Sequence, residues 1–268
     1  MSVSSLLRRR GLDALRGHFM TALLITLAAG FLSMALSVLQ IHISSITGVF
    51  RRSYSFFAQW DARTMKYQGV YYVLVILSFL FTPALGIGLN HYYLELHFGR
   101  EARASLLFSR MRFFGKCLGQ VIVMGLLVAC WTLVIYAPCI LLFFLIRLYS
   151  PFLIVVVALA SAISGMMASY RYAMAPYLLS EDPELGVLDT IRQSKEMMDG
   201  NKGRLFCLHW SFIGWILLLA GFTFLAWKLL GTLGYVVCVP ASYALQTYIN
   251  SAVAAFYLEL PTRMNRTA

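Results

Sequence analysis

Hydrophobic positions along the chain fall into long apolar runs separated by short basic or aromatic segments, and the runs predict helices of membrane-crossing length. They occupy about 19–43, 70–98, 117–146, 151–179, 205–230 and 234–260, each long enough for the roughly 20 helical residues that a hydrocarbon core requires. Turns too short for any other element join the third run to the fourth and the fifth to the sixth, so each pair reads as an antiparallel hairpin. Pro83, Gly86 and Gly88 near the middle of the second run predict a kink or close helix packing there. Ser161, Ser164, Gly165, Ala168 and Ser169 give the fourth run a stripe of small residues suited to close contact with a neighbour.

The best-punctuated polar stretch lies between the fourth and fifth runs. Asp182-Pro183-Glu184 reads as an N-cap, a proline at the first helical position and an acid favoured by the helix dipole. Leu185, Leu188, Ile191 and Met198 then repeat at near-helical spacing, with Asp189, Arg192, Lys195, Glu196 and Asp199 mostly on other faces. Gly200-Asn201 supplies a stop. The pattern predicts an amphipathic surface helix between two membrane segments. Residues 1–18 are also mixed, with Arg8, Arg9, Arg10 and Arg16 among Leu6, Leu7, Leu12 and Leu15. The apolar run that follows is longer than a cleaved signal core, so an uncleaved first span is expected. Residues 47–69 mix Arg51, Arg52, Arg63 and Lys66 with Phe50, Tyr54, Phe56, Phe57, Trp60 and Tyr67, which predicts an interfacial segment lying along the membrane.

Composition sharpens the class. Of 268 residues 60% are apolar or aromatic and 12% are charged, a balance that excludes an ordinary soluble domain and predicts one integral membrane domain over 1–268, an all-α polytopic bundle of six spans. The net charge of +11 sits in short segments flanking the apolar runs. Anionic lipid headgroups are therefore the expected partner, contacted by Arg8, Arg9, Arg10, Arg16, Arg110, Arg112, Lys116, Lys202 and Arg204. Nucleic acid is not expected, and other membrane proteins are the second partner class. Fifteen Lys and Arg fall on the side of the N-terminus and six on the other, which predicts both termini inside. The five cysteines show no CxxC pair and read as small apolar residues.

A repeat is legible as well. Leu15-Arg16-Gly17-His18-Phe19, Phe113-Phe114-Gly115-Lys116-Cys117 and Met198-Asp199-Gly200-Asn201-Lys202 each place a large residue, a glycine and a polar residue near the start of an odd-numbered run. The even runs end alike, with Asn90-His91-Tyr92-Tyr93-Leu94-Glu95-Leu96 echoed by Asn250 through Phe256-Tyr257-Leu258-Glu259-Leu260. Three units of amphipathic helix plus hairpin account for all six spans. Ser194, Met198, Gly200, Lys202, Phe206, the run Ser211-Phe212-Ile213-Gly214-Trp215 and the later Ala254-Ala255-Phe256-Tyr257 resemble the signature of a bacterial family of six-span membrane proteins carrying a domain-of-unknown-function label, common in clostridial-type Gram-positives. Family members tend to have Pro-Tyr where this chain has Pro240-Ala241, and Tyr243 takes over that role. The resemblance implies architecture and a bacterial plasma membrane, and it carries no site across.

Ionisable groups inside spans are costly and mark where function is sought. Arg171 in the fourth run, Asn90, His91 and Glu95 in the second and Asn250 in the sixth form a candidate intramembrane polar cluster; the alternative has Arg171 reach the interface by extending its side chain. His91 and Glu95, at i and i+4, share a helical face but lack a third metal ligand. No GxSxG, P-loop, GxGxxG or HExxH is present, so no catalytic residue, metal or cofactor is expected. Three readings remain: a non-enzymatic envelope-associated or accessory protein first, a small-solute permease or exporter second, and an intramembrane lipid-modifying enzyme third.

Overall fold

A computed structural model describes residues 3–47, 62–100, 102–146 and 151–260. It is 88% helical, and no strand occurs among the described residues. In chain order the helices are α1 (Val3–Leu15), α2 (Phe19–Thr47), α3 (Ala62–His97), α4 (Phe114–Ile146), α5 (Pro151–Arg171), α6 (Ala175–Glu181), α7 (Val187–Met197), α8 (Lys202–Leu230) and α9 (Thr232–Leu258). Two 3-10 turns, Ala104–Phe108 and Met111–Phe113, join α3 to α4.

Among the described residues four helical runs are long and apolar enough to cross a membrane: Gly69–His97, Ala104–Pro138, Val155–Glu181 and Lys202–Leu230. A fifth arises if Ser4–Leu15 and Phe19–Phe31, bent by 96° at Gly17, count as one broken span. Helix α9 is not among them, for a physical reason: Gln246, Thr247, Asn250 and Ser251 lower its hydropathy, and Thr247 and Ser251 are buried within the protein. In the four runs only 6% to 28% of the window is buried, so most of their apolar side chains face outward. Such a surface is stable in lipid and unstable in water.

The packed core lies at one end of the bundle. There α1, the last turns of α3, the α5–α6 junction, the end of α7, the start of α8 and the end of α9 share one buried cluster that includes Leu7, Leu15, Tyr93, Met174, Met198, Leu205 and Phe256. Close backbone approach makes this possible. Leu7, Gly11 and Leu15, one helical face of α1, point onto α9, and a Cβ on Gly11 would stand 2.9 Å from the Ala252 nitrogen and 3.0 Å from its Cα. Ser251 Oγ donates to the Gly11 carbonyl at 2.9 Å, fixing the same crossing. Gly11→Ala is therefore expected to lift α1 off α9 and loosen the helix backbone around Arg8, Arg9 and Arg10. Limited trypsinolysis of the purified protein should then cut in α1 several-fold faster than in wild type.

The predicted surface helix exists, with a corrected start. It begins at Val187 with Gly186 as its N-cap, not at Pro183. Asp182 instead ends α6 and accepts a hydrogen bond from the Glu184 N–H at 3.0 Å, the local side-chain-to-backbone bond that competes with helix initiation. The stop at Gly200 is real, with φ of 73°, and Gly17 has φ of 82°, whereas Gly115 lies inside α4. The fourth apolar run is not continuous: α5 ends at Arg171, three turn residues intervene, and α6 begins with Pro176 in its first turn. Ser194 of α7 bridges this break, accepting from the Met174 N–H at 3.1 Å and donating to the Arg171 carbonyl at 3.3 Å. The small-residue stripe of α5 meets α4, where Ser161 donates to the Tyr136 hydroxyl at 2.7 Å and Gly165 faces Thr132.

Residues 62–69, read from sequence as part of a loop, belong to α3; residues 48–61 and 147–150, where an interfacial segment and a hairpin turn are expected from sequence, lie outside the described residues. Cys117 and Cys238 are buried as expected of small apolar residues, while Cys130 and Cys207 are exposed on helix surfaces.

Candidate ligand cleft and its charged rim

The polar residues of the inner helices converge on a cleft of about 420 Å³ between α2, α3, α4 and α9. Thr26 comes from α2, Thr82 and Asn90 from α3, Gln120 from α4, and Tyr243, Gln246 and Asn250 from α9. The cleft begins about 10 Å in from the His97 end of α3, given a rise of 1.5 Å per residue. Both of its prolines, Pro83 and Pro176, stand where a helix is broken or lacks a backbone hydrogen bond. Tyr243 crosses to α2, its hydroxyl lying where a Cβ on Gly30 would be only 2.3 Å away, so the glycine admits the ring.

Gln246 Nε2 donates to Asn250 Oδ1 at 2.8 Å. Thr26 Oγ1 and the Tyr93 hydroxyl are 2.7 Å apart behind the cleft wall. Gln120 is fully buried; its Nε2 donates to Thr190 Oγ1 at 3.4 Å, and its Oε1 has no hydrogen-bond partner among the described residues. Among the described residues every polar side chain lining the cleft is an amide or a hydroxyl, with no Asp, Glu, His, Cys, Lys or Arg.

Charges stand at the rim instead, paired within the chain. Glu95 meets Arg100 at 3.2 Å. Arg110 Nη2 donates to His91 Nδ1 at 3.2 Å and to the Ser180 carbonyl at 2.6 Å, tying the 3-10 turns to α3 and α6. His97 Nε2 donates to the Ser251 carbonyl at 2.9 Å. Glu259 binds both Arg10 and, at 3.5 Å, Arg204, and the Tyr257 hydroxyl donates to Glu181. These contacts hold α1, α3, α6, α8 and α9 together at the packed end.

Of the polar cluster expected from sequence, Asn90 and Asn250 share the cleft. His91 and Glu95 lie on the rim with Arg110 and Arg100. Arg171 joins neither group: its guanidinium stacks over the Trp131 ring, 5.6 Å from the centroid. Gln120 and Thr26 were not singled out in the sequence. The signal available for Gln120 was one uncharged polar residue in an otherwise apolar run, which by itself does not say which way it faces. Among the described residues no group of three or more His, Cys, Asp or Glu is placed to hold a metal ion. Among the nine basic residues expected to reach lipid phosphate, Arg10, Arg110, Lys116 and Arg204 bond within the protein, Lys116 to the Pro183 and Glu184 carbonyls at 2.8 and 3.1 Å and Arg16 to Asp13 at 3.1 Å. Arg9 and Arg112 are exposed, and Arg8 and Lys202 are half-buried.

No curated protein and no solved structure matches the chain. A family model described as "Protein of unknown function (DUF975)" matches residues 1–264, nearly the whole length, and the chain belongs to that family.

Proposed function

We propose that the chain is a non-enzymatic multi-pass protein of a bacterial plasma membrane, built as six spans in three hairpin units, that assists other envelope components by binding one of them in its inner cleft. The observation that carries this reading is the chemistry of the cleft. Amide and hydroxyl groups converge there, and no carboxylate, imidazole, thiol or cation is among the described residues that line it. Such a wall is suited to binding by hydrogen bonding.

The test is ligand-dependent stabilisation. Purified protein should gain several degrees in melting temperature with a bound component, and Asn90→Leu should remove the gain while leaving the unliganded melting temperature within about 2 °C. A second reading, a small-solute permease, is favoured by the two prolines that flank the cleft, since broken helices at a polar site recur in transporters. Flux of an uncharged solute into reconstituted vesicles, abolished by Asn90→Leu, would establish the permease and end the accessory reading.

In this proposal both termini are cytoplasmic, as is α7, while the α8–α9 turn is external. In a cysteine-free background, cysteines at Asp189 and at Leu230, both exposed, should label from opposite sides of intact cells. Labelling of both from one side would sink the orientation.

A further inference from the structure

The geometry points to an amphiphile as the bound component: an uncharged hydroxyl- or amide-bearing head seated in the cleft, and a single apolar chain lying in the groove between α8 and α9. The inference rests on the binding reading above and names its ligand.

Gln120 sets the head chemistry. It is fully buried, it lines the cleft, and its Oε1 lacks a partner while its Nε2 is engaged by Thr190. A buried acceptor left unpaired is costly, so the position is made good by a ligand that brings a hydroxyl or N–H donor. Asn90 and the Gln246–Asn250 pair line the same space and offer both donors and acceptors. A carboxylate or phosphate would set oxygen against Gln120 Oε1 with no cation among the described lining residues to neutralise it; Arg100 and Arg110, outside the lining, are already paired with Glu95 and with His91 and Ser180. A cationic head would find no carboxylate among the described residues that line the cleft.

The chain follows from what adjoins the cleft. Gln246 lines it and also lines a groove of about 590 Å³ between α8 and α9. Apart from Thr223, Ser242 and Gln246, that groove is apolar, with Leu219, Phe224, Trp227, Leu245 and Ile249 among its walls. The cleft walls are mostly apolar as well, with Leu85, Ile87, Leu89 and Val121 among them, so the amides of Asn90, Gln120, Gln246 and Asn250 mark the one place for a small uncharged head while the acyl chain runs along apolar wall into the groove. Lipid tails are as apolar as the groove, so discrimination among amphiphiles falls to the head.

Native mass spectrometry of the purified full chain in mild detergent tests this with three probes: 1-monooleoylglycerol, which has an uncharged head and one chain; oleate, which has the chain and a charged head; and glycerol, which has the head alone. The first should be retained and the others not. Gln120→Leu should weaken retention about tenfold. It removes an unpaired buried oxygen along with the long Nε2 bond to Thr190, whose hydroxyl keeps its own bond to the Val187 carbonyl, so its melting temperature should stay within about 2 °C of wild type. Ala220→Phe, which fills the groove, should weaken retention as much, and Ala220→Leu serves if the larger ring disturbs folding. Retention of glycerol that Ala220→Phe does not touch would leave the binding reading standing and end the amphiphile. Equal retention of oleate would end the uncharged-head claim. Monooleoylglycerol retention unchanged in both variants would mean surface adsorption and end the site.

Discussion

Gly88→Ala should lower the melting temperature of the purified protein by about 6–12 °C, equivalent to about 3 kcal/mol for a chain of this size. A Cβ at this position would stand 2.0 Å from the Leu107 carbonyl oxygen, 2.9 Å from its carbon and 3.3 Å from its Cα. The obstacle is backbone, which cannot rotate aside as a side chain does. The 3-10 turn Ala104–Phe108 would have to move off α3, carrying buried Leu107 out of its contacts with Ala29 and Leu85. Gly125→Ala in α4 is the control, because nothing lies within 4 Å of its added carbon and alanine favours helix. Equal melting temperatures for the two variants would show that the turn does not press on α3 as described.

Ser194→Ala should cost about 1–3 kcal/mol and show its effect locally. The hydroxyl accepts from the Met174 N–H inside the break between α5 and α6, and both residues are fully buried. Removing it leaves that amide unpaired where water does not reach. Hydrogen exchange at Met174 and its turn should accelerate by at least about tenfold, with α7 loosening at the same time, while exchange in the core of α3 is unchanged. Unaltered protection at Met174 would mean the break is held by something else. The residue that joins this junction together lies 20 positions along the chain from the amide it binds.

That bond illustrates how the charged stretch from Asp182 to Gly200 works. It is a brace across a broken span rather than a linker between two continuous ones. The capping signals at Asp182 and Pro183 are genuine local chemistry, but they close an Asx-type turn after α6, and the surface helix starts later at Val187. Two structures compete for the same side-chain oxygen, and in the fold the Glu184 N–H holds it.

The basic end shows a related division. Arginines beside apolar runs are legible as interfacial, yet Arg10 and Arg204 converge on one carboxylate, Glu259, and Arg110 is drawn onto His91 and the end of α6. Each of these pairings joins positions 19 or more residues apart, well beyond one helical turn, so local spacing carries no trace of it.

By itself the sequence determined the all-helical class, the apolar runs, the surface helix with its Gly200 stop and the membership of the chain in its family, because hydropathy, periodicity and backbone freedom at glycine are properties of short stretches. Only the tertiary structure decided that Asn90 and Asn250 meet while Arg171 turns away to Trp131, that Gln120 faces the cleft, and that α9 spends its polar residues inside the bundle. A helix presents every direction in turn, and which of its faces meets a neighbour depends on the rotation of whole helices against one another. That rotation is set by close contacts such as Gly11 on Ala252 and Gly30 under Tyr243, where two remote segments must fit at once.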